Sequence, residues 1–153
     1  MAGRIEERLR ELGLELPVAA APAANYVPFV RSGNMLYVSG QISQGPDGLI
    51  TGVLGAGLGV AEGAAAARTC ALYLLAQAKA ATGDLDKVLR VVKLTGFVAS
   101  APGFGDQPKV VNGCSDLLVE VLGDAGRHAR SAVGVAALPM GVAVEVEGIF
   151  EVA

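Results

Sequence analysis

Between Val142 and Val152 the side chains alternate, with Val142, Val144, Val146, Phe150 and Val152 on one parity and Glu145, Glu147 and Glu151 on the other. A period of two places this segment in a sheet, because successive side chains of a strand point to opposite faces. A strand that is apolar on one face and acidic on the other belongs to an antiparallel sheet with a single covered face. The cover must come from helices elsewhere in the chain. Residues 61–82 form an Ala-rich helix carrying Leu72, Leu75 and Ala76 and ended by Gly83, a residue that readily takes the left-handed conformation of a helix stop. A second helix spans about 109–122 and stops at Gly123.

The remaining elements follow from local signals. Ile5, Leu9 and Leu12 recur at helical spacing among charges, which predicts a short amphipathic helix over 3–12 with Gly13 at its end. Residues 17–22 read as a loop. Strands are expected at 27–31 and 34–41 around a Ser32-Gly33-Asn34 turn, with Met35, Tyr37, Ser39 and Gln41 on one face of the second and Leu36, Val38 and Gly40 on the other. Residues 45–59 are turn-rich, with a short strand near 49–51. Strands at 88–99, 128–136 and 142–152 complete an order βββαβαββ. The expected class is α+β, an antiparallel-rich sheet with two long helices on one face, in a single domain over 1–153 to which the 3–12 helix is appended.

Hydrophobic residues make up 52% of the chain but aromatics only 5%, and Gly numbers 21, so the core must be built from Ala, Val and Leu. Small side chains each bury little area, and self-association is a natural way to add apolar burial. The formal net charge is −3, which gives no basic footprint for phosphate contacts and argues against a nucleic-acid partner. The charged N-terminus, Met1 to Arg8, has no apolar run behind it, and no apolar window reaches membrane-spanning length. Neither a signal peptide nor a membrane partner is expected, and the expected location is the cytoplasm.

Several residues invite a chemical reading. Arg130 stands on a strand whose same-face neighbours, Ala132, Gly134 and Ala136, are very small. A guanidinium above such a floor leaves room for a ligand, and its planar fork of donors matches a carboxylate. Gly55-Ala56-Gly57-Leu58-Gly59 is not a dinucleotide fingerprint, because Val60 occupies the sixth position and no strand is defined before it; the P-loop lysine is missing too. His128 is the only histidine, so a multi-histidine metal site is excluded and any Ser-His-Asp triad would have to run through it. Strand parity sets it on the face of Arg130 at a cleft rim, where its charge would favour anions near neutrality. Cys70 and Cys114 lack metal or disulfide spacing and read as small buried hydrophobes. No metal and no cofactor are called for.

The run from Tyr26 to Gln41, with Asn112, Arg130-Ser131, Leu138-Pro139 and Glu145, resembles in order and spacing the Rid/YjgF family, the reactive intermediate deaminases also described as L-PSP endoribonucleases or translation initiation inhibitors. The resemblance covers about residues 17–153. It implies a chorismate-mutase-like fold, a homotrimer and ligand clefts between subunits. It also implies that Arg130 and Glu145 are catalytic and that Tyr26, Ser39, Gly40, Asn112 and Ala132 line the substrate site with Arg130. Glu147 stays structural in this reading. Ala132 stands where the best-studied branch carries a cysteine, so thiol chemistry there is excluded. Gly134 replaces a larger residue and Ser115 a frequent aromatic, marking a separate branch.

The implied activity is hydrolysis of a reactive enamine or imine of a small 2-oxo acid, with ammonia released and a small carboxylate-bearing metabolite as partner. The alternative is a carboxylate-binding or regulatory protein that kept the cleft without the chemistry. Ribonuclease activity ranks last, since the chain is acidic and has no pair of histidines.

Overall fold

The computed structural model describes residues 3–22 and 24–153. Met1 and Ala2 of the charged N-terminus lie outside them. A five-stranded sheet is built from β1 (Phe29–Ser32), β2 (Met35–Ile42), β3 (Val88–Ala99), β4 (Ala129–Val135) and β5 (Val144–Val152), in the spatial order β1-β2-β5-β3-β4. The helices are α1 (Arg4–Glu11), α2 (Val60–Thr82) and α3 (Gln107–Leu122). The α+β class and the positions of the long elements match the sequence reading.

The sheet is mixed. β5 runs antiparallel to both β2 and β3, but β4 lies parallel to β3 at the sheet edge. The connection through α3 returns the chain to the starting end of β3, which gives a parallel neighbour. Alternation within a strand carries no information on the direction of its neighbour. Between residues 45 and 59 the backbone makes a two-residue hairpin, Gln44–Gly45 against Gly48–Leu49, and a short parallel pair, Val53–Leu54 with Gly57–Leu58. The strand expected at 49–51 is reduced to Gly48–Leu49 and a bridge from Thr51 to Val142.

Both long helices cover one face. Val144, Val146, Phe150 and Val152 of β5 are fully buried there, as are Val91, Leu94 and Val98 of β3. Where α2 crosses α3, a Cβ on Gly113 would run into the Ala64 carbonyl, and one on Gly63 would press on Leu54 and Val110. The small residues thus let two helix backbones approach closely, at the cost of apolar area per side chain. The other face of the sheet carries Glu145 and Glu147 together with exposed Val30, Tyr37 and Val133.

α1 closes one end of this layer. Ile5 and Leu9 are buried, and the Arg8 Nε donates to the Glu120 carbonyl at 3.0 Å. Its first N–H groups find their acceptor far along the chain: Arg4 N and Ile5 N each donate at 2.9 Å to the Asp86 carboxylate. These two bonds hold that carboxyl below its usual range.

Candidate functional site

The residues singled out from the sequence fall into two groups. The first is gathered by Arg130. Its Nη1 donates to Asn112 Oδ1 at 2.9 Å and to Ser115 Oγ at 3.1 Å, and its Nη2 donates to the Pro108 carbonyl at 3.2 Å. α3 therefore grips the guanidinium from the helix side of the sheet. Both Nη1 hydrogens and one on Nη2 are engaged. The Nε–H carries no bond to the described residues, and Nη2 has a second hydrogen besides the one given to Pro108. Nε and Nη2 flank the edge of the plane that a carboxylate takes in a paired contact.

Behind the arginine, Ser115 Oγ lies 2.8 Å from His128 Nε2, and His128 Nδ1 lies 2.6 Å from the Gly126 carbonyl. A carbonyl only accepts, so Nδ1 carries the proton and Nε2 accepts from the serine hydroxyl. The hydrogen bonds run in one direction, from Arg130 to Ser115 to His128 to Gly126. Burial holds the imidazole below its ordinary pKa of 6.5; the Gly126 bond opposes this, and the Arg130 charge adds to it. Ser115, Asp116, Arg127, His128 and Arg130 line an open cleft of about 270 Å³.

The second group surrounds Glu145. A separate cavity of about 170 Å³ is lined by Tyr26, Ser39, Gly40, Met140 and Glu145 among others. The Glu145 carboxyl is half-buried and raised above the ordinary glutamate value of 4.5, by burial first and by the neighbouring Glu147 second. Gly40 gives it room, because any Cβ there would collide with the carboxylate. Ser39 Oγ donates to the Val27 carbonyl at 2.9 Å, tying β2 to the segment that carries Tyr26.

Ser39 and Gly40 sit in a β-bulge: β2 pairs Val38 with Gly148, then Gln41 with Val146. The extra residue reverses side-chain parity. Gln41 is therefore buried with Leu36 and Val38, not on the Tyr37 face that unbroken alternation predicts. Inside, the Gln77 amide donates to the Ala20 carbonyl at 2.7 Å and to Gln41 Oε1 at 3.5 Å, fixing the loop that walls the cavity. This pair of buried amides, and the Ser115–His128 link, escaped the sequence reading. The glycine within a strand was a signal for the bulge; the spacing of Asn112 and Ser115, three apart on a helix, was a signal for one shared face.

Within one chain the two groups do not meet. Arg130 is in register with Leu94 and, beyond it, Gly148, so it shares the helix face; Glu145 is in register with Phe97 and, beyond it, Val133, on the open face. Ala132 packs against the core beside Arg130. Both thiols are buried in the core: burial raises Cys70 well above its ordinary range and pushes Cys114 up to about 12 against a lowering by the Arg130 charge. Among the described residues no cluster of His, Cys, Asp or Glu is placed to hold a metal ion, and no helix is long and apolar enough to cross a membrane.

Comparison with known proteins adds the following. A family described as "YjgF/chorismate_mutase-like, putative endoribonuclease" matches residues 6–150. Protein TCP17 of Trypanosoma cruzi is 56% identical over 152 residues, covering 98% of this chain and 95% of that protein. The crystal structure of Atu1372 from Agrobacterium tumefaciens, described as of unknown function, is 53% identical, covers 97% of this chain and 92% of its own, and superposes with a TM-score of 0.90. RidA from the Antarctic bacterium Psychrobacter sp. is 30% identical, with coverage of 90% and 98% and a TM-score of 0.61.

Proposed function

Because the chain belongs to the YjgF/chorismate mutase-like (Rid/YjgF) family, we propose that it hydrolyses the enamine or imine of a small 2-oxo acid and releases ammonia. The observation that carries this reading is the pair of half-sites: an arginine with one donor edge open and a half-buried glutamate with a raised pKa. Arg130 takes the substrate carboxylate on its Nε–Nη2 edge. Glu145 accepts a proton from water as the water oxygen bonds to the imine carbon, and returns a proton to the nitrogen. In a second transfer through Glu145 the hydroxyl proton of the resulting carbinolamine moves to its amino nitrogen while the carbon–nitrogen bond breaks and the carbonyl forms; ammonia leaves and the 2-oxo acid remains. A carboxyl whose pKa is shifted toward neutrality suits both steps, and such imines need little more than positioning.

The two half-sites lie on opposite faces of one sheet, so a complete site requires a second copy of the chain. A homotrimer with clefts between subunits would bring the Arg130 face of one copy to the Glu145 face of the next. The exposed Val30, Tyr37 and Val133 on the open face support burial there. Tyr26, Ser39 and Gly40 then wall the substrate opposite Asn112, with Ala132 beside the arginine. No step requires a metal or organic cofactor. An RNA substrate is disfavoured by the net charge of −3.

The test is the steady-state rate of ammonia release from an imine generated from a small amino acid, compared with buffer. Acceleration by wild type that is lost in Arg130→Ala and Glu145→Gln supports the reading. Binding of carboxylates through Arg130 without acceleration over several imines overturns it in favour of a carboxylate-binding protein.

A further inference from the structure

The Ser115–His128 pair is not needed to hold a carboxylate on the open edge of Arg130, yet it lies in direct hydrogen-bond contact with that guanidinium. Ser115 can serve both charge states of the imidazole. With His128 neutral, the hydroxyl donates to Nε2 and accepts from Arg130. With His128 protonated, Nε2–H donates to the same oxygen, which has two acceptor lone pairs and still accepts from Arg130. No heavy atom has to move between the two arrangements. What changes is charge: a second cation appears one serine away from the first.

We propose that Ser115 and His128 couple carboxylate binding at Arg130 to uptake of a proton by the His128 imidazole, so that the site becomes a better anion receptor in mild acid. The inference rests on the reading of Arg130 as a carboxylate site. Its sign follows from linkage. An empty Arg130 repels a proton from His128; a bound carboxylate offsets the guanidinium charge and lets the imidazole protonate. By reciprocity, a protonated imidazole strengthens binding by the same factor. The other charges around the ring do not replace this pair. Asp116 of α3 lines the same cleft. Arg127 on the ring's own segment is paired with Asp124 at 3.5 Å, and Arg90 of β3 is turned to the Arg127 carbonyl at 2.9 Å. Burial is the larger cause of the lowered His128 pKa, and the Arg130 charge lowers it further, which agrees in direction with the coupling.

The chain holds one histidine, so its imidazole C–H resonance in untagged wild-type protein can be followed by NMR from about pH 5 to 8 without assignment ambiguity. The probe is 2-oxobutyrate, ionised throughout this range. The midpoint is expected below 6.5 without ligand and higher at saturating 2-oxobutyrate; a rise of one unit corresponds to about tenfold tighter binding in acid than in alkali. In Arg130→Gln the midpoint without ligand should lie above that of wild type and should not respond to 2-oxobutyrate. If backbone amide shifts report bound 2-oxobutyrate while the midpoint stays fixed, the coupling is wrong and the carboxylate site stands. If wild type binds no 2-oxobutyrate at millimolar concentration at any pH, the carboxylate reading of Arg130 fails, and the coupling with it.

Discussion

Arg130 keeps its shape for a ligand because its own chain uses only part of its donor set, with acceptors on Asn112, Ser115 and Pro108 fixing the plane. A lysine would retain the charge without the fork. Arg130→Lys is therefore expected to weaken carboxylate binding nearly as much as Arg130→Ala, by about 1–3 kcal/mol, as measured by titration calorimetry. Glu145→Gln should keep the fold and lower turnover by roughly 10²–10⁴. The carboxyl must be ionised to take a proton from water, so the rate of wild type should rise with pH along a limb centred above 4.5, and Glu145→Gln should lack that limb. Replacing both Cys70 and Cys114 by serine should leave turnover per folded molecule unchanged, since both thiols are buried in the core. Strand parity and the family resemblance singled out Arg130, and the resemblance alone singled out Glu145 from Glu147. The grip on Arg130 was not legible, because it depends on which turn of α3 faces β4.

At the scale of elements, the bulge in β2 turns a glycine into a steric requirement. Gly40→Ala should push the Glu145 carboxylate aside while leaving the sheet intact, so turnover should fall with little change in thermal midpoint; an active Gly40→Ala enzyme would contradict the placement of that carboxylate. The alternation along β5 made the covered face readable, and Ala, Gly and Leu periodicity made the helices readable. One inserted residue was enough to reverse the parity of Gln41, and sequence periodicity cannot register a local loss of ladder pairing. The direction of β4 was hidden for a similar reason, since it follows from the path through α3. α1 offers a further test. Leu9→Ala should cost about 2–5 kcal/mol through the cavity it leaves under the helix. The Asp86 carboxyl is lower in the folded chain than its ordinary 3.8; its contribution is therefore complete above that pH and lost as pH falls through the folded value. The protection factors of the Arg4 and Ile5 amides, taken relative to their intrinsic exchange rates, should fall only in that acid range, and Asp86→Ala should remove the protection at neutral pH.

At the scale of the whole molecule, the proposed activity would be a property of neighbouring copies, because Arg130 and Glu145 lie on opposite faces of one sheet. Light scattering is expected to give a trimer mass at micromolar concentration. Arg130→Ala and Glu145→Gln chains, each inactive alone, should regain activity when unfolded together and refolded at equal amounts, because about a quarter of the clefts then combine an intact arginine with an intact glutamate. A mixture as inactive as its components would place both groups in one chain's site. The cap of α1 carries its own consequence for the order in which the protein is made. Arg4 and Ile5 leave the ribosome before their acceptor Asp86, and Arg8 before its anchor, the carbonyl of Glu120. An isolated helix of eight residues is too short to persist in water. α1 thus waits, unfinished, until Asp86 and Glu120 have emerged, and its closure onto α3 follows the synthesis of both.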